Sequence, residues 1–84
     1  MNASAAPRLD ELVLVRNLLP HVQDLHPTVG ALEWTIRQHR RDYILGGALY
    51  EISGRLLALP ERFRQVSLQI GARTLAERHG INHG

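Results

Sequence analysis

The sequence predicts a small α+β domain, mostly helical, with a single β-hairpin. Three observations carry that expectation. Val29, Leu32 and Ile36, and again Phe63, Val66 and Ile70, recur at three- and four-residue spacing, the period of a helix with one buried stripe. Two short apolar runs, 48–52 and 56–59, flank Ser53-Gly54, the signature of a tight hairpin. The length of 84 residues leaves room for one domain and excludes most enzyme architectures.

The elements follow in chain order. Residues 1–7 are small and polar without periodicity, which predicts a mobile arm. Residues 12–15 are a β-favouring run and predict a brief extended piece, followed by a short helix near 16–19. Pro20 is not expected to continue that helix far, and 21–27 are expected to form a connector. Pro27 also biases His26 away from helical angles. Thr28 is a good N-cap, because its hydroxyl accepts from a free amide of the next turn. A helix is then expected over 28–41. At about 100° per residue, Gly30, Trp34, Arg37, Gln38 and Arg41 face away from its apolar stripe. Gly46-Gly47 breaks the chain before the hairpin. Pro60 and Glu61 suit the first turn of a last helix. Gly71 is expected to kink or end it, with 74–79 adding a turn or two closed by Gly80. Helix, connector, helix, hairpin, helix is the plan of a winged helix-turn-helix domain, with the second helix as reader and the hairpin as wing. Residues 8–70 would form that domain, and 71–84 a tail.

Composition narrows the function. The formal charge is +2, and all ten basic residues are arginine. The excess positive charge falls in two blocks, 28–41 and 61–84. With no cysteine there is no disulfide and no thiolate metal site, and a reducing, cytoplasmic setting is the simplest expectation. No apolar run is long enough to span a membrane, and no signal peptide is visible. His21, His26, His79 and His83 lack the companions of a zinc site, so no metal or other cofactor is expected. No nucleophile–base pair or phosphate loop stands out, so no catalysis is expected.

The arginines carry the strongest signal. Arg37, Arg40 and Arg41 would share one helix face, and their mutual repulsion would be relieved by a polyanion. Guanidinium groups hold phosphates bidentately or read guanine, and Gln38 reaches adenine or a phosphate. The alternative is a solvated helix end, whose dipole arginine complements. Trp34 is expected to pack against the hairpin; its other role would be to lie on a sugar-phosphate backbone. Arg55, beside the turn, suits a wing donor, although Gly-Arg is also an ordinary solvated turn. Leu68, Leu75 and Ile81 lie outside the last helix's buried stripe, and either fold back or mark self-association.

The segments Leu32-Glu33-Trp34-Thr35-Ile36-Arg37, Gly47-Ala48-Leu49, Ile52-Ser53-Gly54-Arg55 and Pro60-Glu61-Arg62-Phe63 together resemble the small excisionase-like, MerR-related winged helix-turn-helix proteins. Recombination directionality factors of phages and integrative elements are among them. The resemblance covers about 12–70 and implies that 28–41 is the recognition helix. It also implies that Arg37 contacts DNA and that Arg55 is the wing arginine. Family members bind adjacent sites cooperatively and bend DNA to help an integrase excise an element. Two departures stand out: Gly30-Ala31 is unusually small, and Glu33 stands where a basic or neutral residue is expected. A carboxylate there would accept from cytosine, orient Arg37 or face away from DNA.

The expected function is therefore sequence-specific DNA binding without catalysis, as an excisionase acting on attachment-site DNA. Thr28, Trp34, Thr35, Arg37, Gln38, Arg40, Arg41 and Arg55 are the candidate DNA-binding residues. Double-stranded DNA, a tyrosine-type integrase and further copies of the chain are the expected partners, in a nucleoid-associated setting. A small MerR-like transcriptional regulator is the nearest alternative, and a protein-interaction module is an alternative of another class.

Overall fold

The computed structural model describes residues 7–81; the expected arm at the start of the chain and His83 lie outside them, apart from Pro7. Strand β1 (Val13–Leu14) is flanked by two 3-10 turns, Leu9–Glu11 and Val15–Asn17. Helices α1 (Leu19–Val22), α2 (Val29–Gln38) and α3 (Arg40–Leu45) follow. The hairpin of β2 (Leu49–Ile52) and β3 (Arg55–Ala58) then leads into the long helix α4 (Pro60–Arg78). The result is a small α+β winged helix-turn-helix, as the sequence predicts.

The hairpin turns where expected. Ser53 and Gly54 both have positive φ, 54° and 76°, the conformation whose twist matches two paired antiparallel strands. The expected extended piece near 12–15 does more than lead into a helix. Val13 and Leu14 pair antiparallel with Ala58 and Leu57, so β3 becomes the centre of a three-stranded sheet ordered β1-β3-β2. The wing is therefore not an isolated hairpin.

Three helical expectations need correction. The short helix lies later than expected: Pro20 sits in the first turn of α1, where its missing amide costs nothing, and His21 and Val22 belong to that helix and not to the connector. The helix expected over 28–41 breaks at His39, which leaves helical angles at φ −125° and ψ 29°. The change of direction brings Tyr43 of α3 into the core, stacked on Phe63 at 4.1 Å between ring centres. Gly71 does not end α4, which runs on to Arg78. One glycine costs roughly 1 kcal/mol in a helix, less than the burial of Ile70 and Ala76 on either side returns.

Both α3 and α4 close in the same way. At α4 the Gly80 and Ile81 amides donate to the carbonyls of Glu77 and Ala76, with Gly80 left-handed. At α3 the Gly47 and Ala48 amides donate to Ile44 and Tyr43, with Gly47 left-handed. Gly46 answers a different need. A Cβ there would lie 2.6 Å from Cγ2 of Val66, so only glycine lets the end of α3 press against α4.

The core gathers Leu18, Val22, Leu32, Ile36, Tyr43, Ala48, Leu49, Ala58, Phe63, Val66 and Ile70. The α4 stripe Phe63, Val66 and Ile70 is buried as expected. On α2 the stripe shortens to Leu32 and Ile36, because Val29 in the first turn is 54% exposed. Two polar links tie the helices together. Arg64 of α4 grips Asp24 with both terminal nitrogens, at 2.6 and 2.9 Å, fixing the turn after α1. Arg73 of α4 donates to Asp42 of α3 at 3.0 Å.

Candidate nucleic-acid interface

The arginines divide by whether an acid holds them. Arg8, Arg64 and Arg73 pair with Asp10, Asp24 and Asp42. Among the described residues, Arg16, Arg37, Arg40, Arg41, Arg55, Arg62 and Arg78 make no ion pair. Four of these converge. Arg16 and Arg55 border an open depression of about 370 Å³ with Leu14, Val15 and Leu56. Arg37 and Arg40 border a second, of about 280 Å³, with Val15, Glu33, Ile36 and Leu56. The two share Val15 and Leu56, so together they form one arginine-bordered surface between α2 and β3.

Each member is placed by a different element. Arg37 stands on the last turn of α2, four residues after Glu33. Arg40 opens α3 beyond the break at His39. Arg55 is the first residue of β3, just past the turn. Arg16 comes from the 3-10 turn after β1, and the pairing of β1 with β3 brings it to Arg55. Sequence reasoning missed Arg16. Its only signal was an unpartnered arginine inside an apolar run, and its neighbour in space lies far along the chain.

The other expected residues are distributed differently. Arg37, Arg40 and Arg41 do not share one helix face, since the break puts the last two on α3; Arg40 still reaches the depression, whereas Arg41 does not line it. Thr28 caps α2, its Oγ1 accepting from the Ala31 amide at 3.1 Å. Thr35 is half-buried on α2, next to the core residue Ile36. Gln38 is exposed at the end of α2.

Trp34 is not buried against the hairpin. It is 55% exposed, because Leu32 and Ile36 turn the opposite side of α2 to the core. An indole that open is uncommon, and it shares the outer face of α2 with Gly30 and Gln38. On α4, Leu68 and Leu75 lie seven residues apart on one face, each 59% exposed, and Ile81 is exposed just beyond the helix.

A small polar cluster links the connector, α3 and α4. His26 Nε2 shares a hydrogen bond with Ser67 Oγ at 3.0 Å, and the Tyr43 hydroxyl another at 2.8 Å. The His26 ring also meets the Phe63 ring edge-on. Burial pushes the His26 imidazole below its ordinary value, and the carboxylate of Asp24 opposes that shift. Burial likewise raises the Tyr43 phenol, against the hydrogen bond with Ser67. The arginine hydrogen bond holds the Asp24 carboxyl below its usual range. These groups hold helices together and do not open onto the arginine surface.

Guanidinium groups unpaired with acids suit phosphate oxygens, which accept two parallel N–H bonds from each. The apolar residues beneath them suit sugar or base edges. Among the described residues, no three histidine, aspartate or glutamate side chains come together as metal ligands, and no helix is long and apolar enough to cross a membrane. No family model, curated protein or solved structure matches the chain.

Proposed function

We propose that the chain is a sequence-specific DNA-binding protein that performs no catalysis. The observation that carries this reading is the convergence of Arg16, Arg37, Arg40 and Arg55, all free of acids among the described residues, on one surface between α2 and β3. In this reading α2 enters the major groove and presents Trp34, Arg37 and Gln38. Arg55 and Arg16 hold the flanking phosphates. Phosphate contacts supply affinity and position, and α2 supplies sequence preference. Titration onto labelled duplex DNA tests it. Binding should be tight at low salt and weaken steeply as salt rises. A protein whose affinity for duplex DNA is negligible at low salt would end the reading.

Within that class, an excisionase is the finer proposal, supported by the resemblance of 12–70. Footprinting on an attachment region, followed by an excision assay with its tyrosine-type integrase, tests it against a transcriptional regulator. Binding confined to a promoter would favour regulation. The exposed Leu68 and Leu75 support a further component, cooperative assembly through α4. Both leucines are exposed, so replacing them leaves the core, including the buried Ala76, intact. Leu68→Ser with Leu75→Ser should reduce cooperativity on multi-site DNA and spare single-site affinity. Unchanged cooperativity would remove α4 from the assembly.

A further inference from the structure

The arginine surface contains one residue of the wrong sign. Glu33 lies on α2, exposed, and borders the depression that holds Arg37 and Arg40. It also borders the adjoining depression with Arg16 and Val29. Glu33 and Arg37 stand four apart on one helix, with the acid first, the arrangement in which such residues ordinarily pair. They form no ion pair, and among the described residues Glu33 has no hydrogen-bond partner in its side chain. A carboxylate facing a phosphate-binding surface opposes binding unless the ligand offers it a donor.

We propose that Glu33 is a specificity-determining residue that accepts a hydrogen bond from the exocyclic amine of a cytosine in the major groove. This rests on the DNA-binding reading above. The chemistry of the groove selects the base. An ionised carboxylate only accepts, so it needs a donor edge. Guanine presents two acceptors there, and thymine an acceptor and a methyl group; both repel it or leave it unbonded. Adenine offers an amine, but with the N7 acceptor beside it. Cytosine offers its N4 amine with no acceptor alongside. The guanine opposite that cytosine supplies the acceptors that a neighbouring guanidinium seeks. Glu33 and Arg37, adjacent and unpaired with each other, match the donor and acceptor edges of C·G pairs. The carboxylate also penalises every site that lacks the cytosine, so it sharpens selection at a cost in general affinity.

Selection from a randomised duplex pool tests this, with the wild type, Glu33→Gln, Glu33→Asp and Arg37→Ala compared under one salt condition. Wild-type sites should share a cytosine at one position, preferred about ten-fold or more over other bases. Glu33→Gln should lose that preference or shift it toward adenine, keep the other positions, and bind unselected DNA more tightly. Glu33→Asp, with the same charge and shorter reach, should lose the preference without gaining general affinity. Thermal melts of both variants should match the wild type, since Glu33 is exposed. Three results overturn the proposal. Glu33→Gln retains the cytosine; or it loses only the position that Arg37→Ala also loses, which makes Glu33 a positioning residue for Arg37; or the wild type binds DNA without base preference, which leaves DNA binding standing and removes its sequence specificity. A wild type that binds no duplex DNA removes that reading and this proposal together.

Discussion

Removing the four convergent arginines one at a time should lower the salt dependence of DNA binding in equal steps wherever the guanidinium meets a phosphate rather than a base. Each guanidinium that meets a phosphate releases condensed counterions, and the slope of log K against log salt is about −0.9 per phosphate neutralised on duplex DNA. Arg16, Arg37, Arg40 and Arg55 have no internal acid among the described residues, so all four are free to contribute. If each meets one phosphate, their joint slope is about −3.6, and raising salt from about 50 to about 200 mM weakens binding by about 150-fold. A double variant, Arg16→Ala with Arg55→Ala, retains a slope of about −1.8 and loses only about 12-fold over the same range. Fluorescence anisotropy on a short labelled duplex reads both numbers. Arg62→Ala is the control, because Arg62 borders a separate cleft with Glu11 and Glu61. The reasoning fails if the four variants leave the slope unchanged, or if Arg62→Ala lowers it as much as they do. If Arg37 meets a base instead, its substitution changes affinity for one sequence more than it changes the slope.

The remaining predictions concern the fold and its lone indole. Gly46→Ala should destabilise by about 1–3 kcal/mol in urea melts, through the clash with Val66, and adding Val66→Ala should recover part of that loss. His26 has its imidazole held below the ordinary 6.5 by burial. The unfolded chain therefore binds that proton more readily, so the contribution is intact above 6.5 and is lost as pH falls through that value toward the folded one. Melting temperature should drop with acidification in that window, and His26→Gln should flatten the drop; an unaltered profile would remove His26 as its source. Trp34 is the only tryptophan, so its emission should be quenched readily by iodide in the free protein and protected once duplex DNA is bound. Equal quenching with and without DNA would place the indole away from the interface.

Much of this architecture was legible from local chemistry. Ser53-Gly54 announces the hairpin because a turn with two positive φ angles is nearly self-specifying. Thr28 announces the start of α2, and Phe63, Val66 and Ile70 announce the inner face of α4, since capping and period are local properties. The break at His39 had no such signal. No glycine or proline stands there, and its cause is distant: Tyr43 reaches the core only if the chain turns, and its stacking partner Phe63 belongs to another element. Trp34 was misplaced for a related reason. Size favours burial for a tryptophan, but Leu32 and Ile36 had already determined which side of α2 turns inward. The site was half legible. Arg37 and Arg40 were found from the sequence, but through a single helix that does not exist. Arg16 was invisible, because a strand pair joining distant residues supplies its position.

That strand pair makes the surface a late product of folding. Val13 and Leu14 meet β3 only after every helix before the hairpin and the hairpin itself have been synthesised. Contacts between such distant residues pay a loop-closure cost before they return anything, so they form slowly. A nascent or partly unfolded chain can carry α2 and its charges without yet having Arg16 beside Arg55. If the proposed DNA binding holds, competence to hold DNA across both α2 and the wing would then report that the sheet has closed. Proteolytic cutting between β1 and α1, or a proline at Leu14, should separate the two halves of the surface while leaving α4 helical.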